Sequence, residues 1–207
     1  MTRRRDRRER RGGSGTFRLA VMISGGGTSL QNLIDRIADG RLPGVEIAVV
    51  ISSRSDVAGI QRAEAAGLPV DIIRVKDFPD VQKFSENITL TLDVYAPALV
   101  VQAGWLCYWQ LPPRWLGKVI NIHPALLPKF GGKGFYGTRV HEAVLAAGET
   151  ESGATVHWVD NEYDHGKIIA QRKCPVEPGD TPDSLAARVM ALERDLLPEV
   201  ISSLARE

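Results

Sequence analysis

Apolar, strand-like runs alternate with helix-patterned segments through the first part of this chain, and that alternation limits the fold more than any other feature. Residues 45–52 and 98–103 are predominantly apolar, β-branched runs, as strands buried on both faces are. Residues 19–24, 70–75 and 118–122 read the same way; the last closes a longer apolar run over 115–122. Between them, residues 30–37, 57–66 and 84–95 carry apolar side chains at helical spacing. Strand and helix in turn predict an α/β fold, a Rossmann-like, mostly parallel sheet with helices on both faces. After Pro128 the pattern changes. Residues 131–137 form a glycine-rich loop and 140–147 a helix. Residues 153–159 and 167–176 read as late antiparallel strands, joined by a loop over 160–166. A C-terminal helix starts at Thr181, with Asp183 in its first turn and Leu204 near its end.

The 207 residues, 43% hydrophobic, suffice for one domain with a sizeable core. Residues 3–11 run Arg-Arg-Arg-Asp-Arg-Arg-Glu-Arg-Arg, and Gly12-Gly13-Ser14-Gly15 follow. The expected division is a disordered basic arm over 1–15 and a single domain over 16–207. The arm has no aromatic residue on which a base could stack. The net charge of +1 creates no overall field toward nucleic acid or membrane. No apolar run is long enough to span a bilayer. Cys107 and Cys174 form neither a disulfide framework nor a metal spacing. Reduced thiols in a cytoplasmic protein are the default, and no metal is expected. The expected partners are small molecules rather than nucleic acid or membrane, for a monomer or homodimer.

Ligands of open parallel sheets bind beyond the carboxyl ends of the strands. Asn121 and His123 fall there and point to one strand face, being two residues apart. An amide beside an imidazole can hold an oxyanion and move a proton. Pro124 and Pro128 then end the strand. Gly25, Gly26 and Gly27 permit close backbone approach, and Thr28 and Ser29 open the next helix. Such a turn suits one phosphate; the competing reading is a tight turn capped by Ser29. No Gly-Lys-Ser/Thr follows, so it is not a Walker A loop. Leu30 replaces the last glycine of a dinucleotide fingerprint, and Ser52 and Ser53 stand where its acid belongs. Asp164, in the later loop, could hold a histidine charged. His157 is either a site residue or a packed histidine of its strand, and packing is the commoner case.

Together these motifs resemble the folate-dependent phosphoribosylglycinamide formyltransferases, from about Arg18 to the chain end. The stretches that carry the likeness are Ile23-Ser24-Gly25-Gly26-Gly27-Thr28-Ser29-Leu30-Gln31, Asn121-Ile122-His123-Pro124-Ala125-Leu126-Leu127-Pro128, and Ser152-Gly153-Ala154-Thr155-Val156-His157 followed by Asp164. The resemblance implies the formyltransferase fold and formyl transfer from the co-substrate 10-formyltetrahydrofolate to the amine of glycinamide ribonucleotide, a step of de novo purine synthesis. It implies that Asn121 bonds the formyl oxygen, His123 donates a proton and Asp164 keeps His123 protonated. Gly25, Gly26, Gly27, Thr28 and Ser29 would hold the substrate phosphate, and Glu193 the glycinamide end. Leu106, Cys107, Tyr108 and Trp109, with Asn121, would line the folate pocket. Cys107 stands where family members such as the enterobacterial enzyme carry an arginine, and Lys167 replaces a proline often found after Gly166. The alternative is another 10-formyltetrahydrofolate enzyme, either a formyltransferase with a different amine acceptor or a hydrolase.

Overall fold

The computed structural model describes residues 15–207. The basic arm, Gly15 apart, lies outside the described residues. Seven strands form one sheet in the order β3-β2-β1-β4-β5-β6-β7. They are β1 (Phe17–Ile23), β2 (Val45–Ser52), β3 (Val70–Ile72), β4 (Leu99–Gln102), β5 (Val119–His123), β6 (Glu151–Trp158) and β7 (Ile168–Pro175). The first five pair in parallel. β6 runs antiparallel to β5, and β7 antiparallel to β6. The helices are α1 (Thr28–Ala38), α2 (Ala58–Ala65), α3 (Val81–Tyr95), α4 (Thr138–Ala146) and α5 (Pro182–Leu204).

Strand alternation feeds two cores. Leu19, Val21 and Ile23 of β1 pack with Leu33 of α1, Val144 of α4 and Leu185 and Leu197 of α5. Ala20 and Met22 point the other way, to Phe84, Ile88 and Leu92 of α3 and to Trp105 and Trp109. All five β1 residues are fully buried. Burying such an aliphatic side chain stabilises the fold by roughly 1.5–3 kcal/mol before the cost of ordering it. The expected mostly parallel sheet with helices on both faces, late antiparallel strands and C-terminal helix is the observed architecture.

Several boundaries differ from expectation. The expected strand over 70–75 stops at Ile72, and a single 3-10 turn, Val75–Asp77, follows. Arg74 pins that turn through its ion pair with Asp77, 2.7 Å. α3 begins at Val81 rather than at 84, because the Asp80 carboxylate accepts from the Lys83 N–H at 2.8 Å and caps a further turn. The apolar run over 115–122 is not all strand. Pro113–Trp115 is a 3-10 turn and Gly117 has φ +73°, so extended backbone starts only at Val119. α5 starts where Thr181 and Ser184 form a reciprocal capping box, and it continues through Pro198. The Leu127–Pro128 peptide is cis. No helix among the described residues is long and apolar enough to cross a membrane.

Candidate active site

The strand order reverses at β1, which has β2 on one side and β4 on the other. A crevice opens beyond the carboxyl ends at such a point. Here it is a cavity of about 700 Å³, within the usual range for small-molecule sites. Every residue expected at the site lines it. The glycine turn and Glu193 do so, as do Leu106–Trp109 and the Asn121, His123 and Asp164 cluster.

The glycine turn is shaped by steric need. Gly27, at φ +69°, is the residue before α1, and no side chain caps the helix. Ser29 therefore does not cap the turn, and the first backbone N–H groups of α1 are left for a ligand. A Cβ on Gly27 would sit 2.7 Å from Cα of Gly59 in α2. The Gly59 N–H in turn donates to the Gly25 carbonyl at 3.2 Å, and Arg62 Nε donates to the Gly26 carbonyl at 2.9 Å. α2 thus braces the turn from behind. Ser24 and Ser53, both buried, tie strand ends together. Ser53 Oγ donates to Ser24 Oγ at 2.6 Å, and Ser24 Oγ accepts from the Leu106 N–H at 2.9 Å. Ser53, where a dinucleotide site would have an acid, instead positions the expected folate segment.

At the centre, β5 presents Asn121 and His123 on one face while Ile120 and Ile122 enter the core of the opposite face. Asp164 is brought to them from the loop after β6. Its Oδ2 lies 3.5 Å from His123 Nδ1 and accepts from the Gly132 N–H at 2.9 Å. Its Oδ1 accepts from Asn121 Nδ2 at 3.3 Å and lies 3.4 Å from His157 Nε2. Asp164 sits at φ +53°, a strained conformation for a non-glycine residue, which persists only where the surroundings hold it. Gly131 makes room, since a Cβ there would clash with Leu127 and approach Asp164 Cβ to 3.1 Å.

Electrostatics refine the expected roles. Burial pulls the His123 imidazole below its ordinary value, against the Asp164 charge and the Phe130 carbonyl, which push it up. The carbonyl oxygen of Phe130 lies 2.8 Å from Nε2. Both ring nitrogens thus face acceptors, the arrangement an imidazolium needs, yet the ring is only 4% exposed and burial wins. The Asp164 charge acts in the expected direction, toward the protonated ring, and burial opposes it. Burial also acts to raise the Asp164 carboxyl, but its contact with His157, the His123 charge and the Gly132 amide together hold it below its usual value. Burial pushes Glu193, on α5, up to about 7.

His157, favoured as a packed histidine, is both packed and part of the site. It is 2% exposed, and its Nδ1 lies 2.8 Å from the Trp158 carbonyl. Its Nε2 lies 3.2 Å from Asn121 Nδ2 and 3.4 Å from Asp164 Oδ1. The cross-strand register Asn121↔His157 creates the pair. Thr155, opposite His123 in that register, is a second residue missed from sequence. Its hydroxyl donates to the Ala125 carbonyl at 2.6 Å and accepts from the Leu127 N–H at 3.2 Å, fixing the turn after β5. Their common signal was two-residue spacing on one strand beside the β5 pair. His141, also unassigned from sequence, lines the cavity from α4. Among the described residues no three His, Cys, Asp or Glu side chains are disposed to hold a metal ion.

An amide that can steady an oxyanion, beside a proton-carrying imidazole on an open α/β sheet, defines an acyl-group transferase. The chain belongs to the formyl transferase family, whose sequence profile matches residues 17–201. It is 42% identical over 192 residues to the trifunctional purine biosynthetic protein adenosine-3 of Drosophila pseudoobscura pseudoobscura, covering 91% of this chain but 14% of that protein. It is 37% identical over 186 residues to phosphoribosylglycinamide formyltransferase of Haemophilus influenzae, covering 89% of this chain and 85% of that one. Glycinamide ribonucleotide transformylase 1 from Symbiobacterium toebii superposes with a TM-score of 0.85 at 35% identity, covering 94% of this chain and 89% of that one.

Proposed function

We propose that the chain transfers the formyl group of 10-formyltetrahydrofolate to the amine of glycinamide ribonucleotide, as a cytoplasmic monomer or homodimer. One observation carries this reading. A single cavity joins a phosphate-type glycine turn and Glu193 to the Asn121–His123–Asp164 cluster and to the segment Leu106–Trp109. The ribonucleotide phosphate lies on the backbone N–H groups at the start of α1. Glu193, ionising as the amine end arrives, holds it. The folate lies along Leu106–Trp109, with the Tyr108 and Tyr163 rings, 5.7 Å apart, beside it.

The amine attacks the formyl carbon, and a C–N bond forms as the carbonyl electron pair moves onto oxygen. Asn121 Nδ2 faces His157 Nε2 at 3.2 Å and Asp164 Oδ1 at 3.3 Å, two atoms themselves 3.4 Å apart, so both lie on one side of the amide nitrogen. The amide hydrogen directed away from that pair meets the developing oxyanion. That negative charge raises the affinity of His123 for a proton. His123 takes the proton the amine loses and gives it to N10 of the folate as the C–N10 bond breaks, so protons balance. Asp164 and the Phe130 carbonyl steady the imidazolium while it exists.

The test is a spectrophotometric assay of folate product, with and without glycinamide ribonucleotide. Turnover that requires the ribonucleotide is expected. Release of tetrahydrofolate at an equal rate without it identifies a hydrolase and overturns the reading.

A further inference from the structure

We infer that Asn161 is a positioning residue, a latch that joins the two loops of the folate cleft and so fixes where Asp164 stands. The inference rests on the formyl-transfer reading and extends it to a residue that is not among those lining the cavity. The two loops are distant in sequence. One leaves β4 and carries residues 103–112; the other leaves β6 and carries residues 159–167.

Asn161 bonds across the gap three times. Its Oδ1 accepts from the Leu111 N–H at 2.8 Å, and its Nδ2 donates to the Leu111 carbonyl at 3.2 Å. The side chain thus pairs with one residue's backbone as a neighbouring strand would. Its own carbonyl accepts from the Tyr108 hydroxyl at 3.1 Å. The far end of the latch is firm: Leu111 is 3% exposed and packs in the core with Trp109 and Trp115. The Gln110 N–H donates to Ser85 Oγ of α3 at 2.9 Å, which anchors the same stretch. Three residues beyond Asn161, Asp164 holds its positive φ. A backbone kept in that region depends on restraint at its flanks, and the latch supplies restraint on the N-terminal side.

The amide is needed at both ends. A carboxylate at 161 could accept from the Leu111 N–H, but it would set an oxygen against the Leu111 carbonyl. Asn161 is exposed, so its replacement leaves the core intact.

The test uses the full chain with Asn161→Ala and Asn161→Asp. The KM for 10-formyltetrahydrofolate should rise about tenfold in Asn161→Ala, where both side-chain bonds to Leu111 are lost, and by a smaller factor in Asn161→Asp, which keeps an acceptor for the Leu111 N–H. The KM for the ribonucleotide should stay within about twofold, because none of the three latch bonds involves the glycine turn. Amide hydrogen exchange at Leu111 should quicken in Asn161→Ala, and exchange at Gly132 should quicken in both variants. Unchanged folate KM, an equal rise in both KM values, or unchanged exchange at Leu111 and Gly132 overturns the latch. An inactive wild-type protein would instead overturn the formyl-transfer reading, and the exchange measurement would still decide the latch.

Discussion

Asn121 is held from one side. His157 and Asp164 sit together there, at its amide nitrogen, so its orientation is set before any substrate arrives. Preorganisation of that kind is what an oxyanion donor needs. Asn121→Ala should therefore lower kcat by about 10²–10³ with little change in either KM, as steady-state kinetics would show. A change confined to KM would mean that Asn121 only positions the ground state. His123 offers a separate test. Its imidazole is held below its ordinary value, and the Asp164 charge is one of the forces pushing it up. In Asp164→Asn the His123 titration point, followed by ring NMR signals, should move lower still. A rise would show that Asp164 does not stabilise the imidazolium. At Glu193 the folded carboxyl titrates at about 7, above its unfolded value. The folded state therefore keeps a proton that the unfolded state loses, and stability falls as pH rises from the ordinary carboxylate range through about 7. Glu193→Gln should melt higher than wild type at pH 8 while binding the ribonucleotide more weakly. Equal melting temperatures at pH 8 would contradict the burial of this carboxyl.

Among the elements, β5 and β6 carry the Asn121, His123 and His157 cluster of the cavity, and α2 shapes the glycine turn. α2 does so through backbone contact, with Gly59 against Gly27 and Arg62 on the Gly26 carbonyl. Gly27→Ala would strain a φ of +69° and drive a methyl group to 2.7 Å from Gly59. The KM for the ribonucleotide should rise about tenfold or more while the folate KM holds, since misplacing the turn tilts the N–H groups aimed at phosphate. A folate KM that rose equally would deny the turn its place at the phosphate end. The β strands and helices were legible because their apolar periods were unbroken. The boundaries at 72, 81 and 119 were not, because each depends on one local event: the Arg74–Asp77 pair, the Asp80 cap and the positive φ of Gly117.

At the scale of the molecule, the sheet gathers distant residues into one cavity. Glycines at 25–27, the segment Leu106–Trp109, the pair on β5, Asp164 and Glu193 reach it from five separate stretches of chain. Spacing made the glycine turn and the Asn121–His123 pair readable, since each lies within a few residues of sequence. Asp164 gave only a carboxylate in a loop, and Glu193 only a resemblance, because nothing local says which way a loop or helix will face. His157 was half-read for the same reason: its role comes from the register between β5 and β6, which single-strand patterning does not contain. The charge of His123 was beyond sequence altogether, being the balance of burial against two acceptors. The central claim is that the formyl group passes directly between two bound substrates in this cavity. Labelling the formyl carbon of 10-formyltetrahydrofolate and following it in the presence of glycinamide ribonucleotide tests that claim most directly. The account predicts the label in the formylated ribonucleotide, with its appearance abolished in His123→Ala. Label recovered as free formate, or transfer that survives in His123→Ala at the wild-type rate, would contradict it.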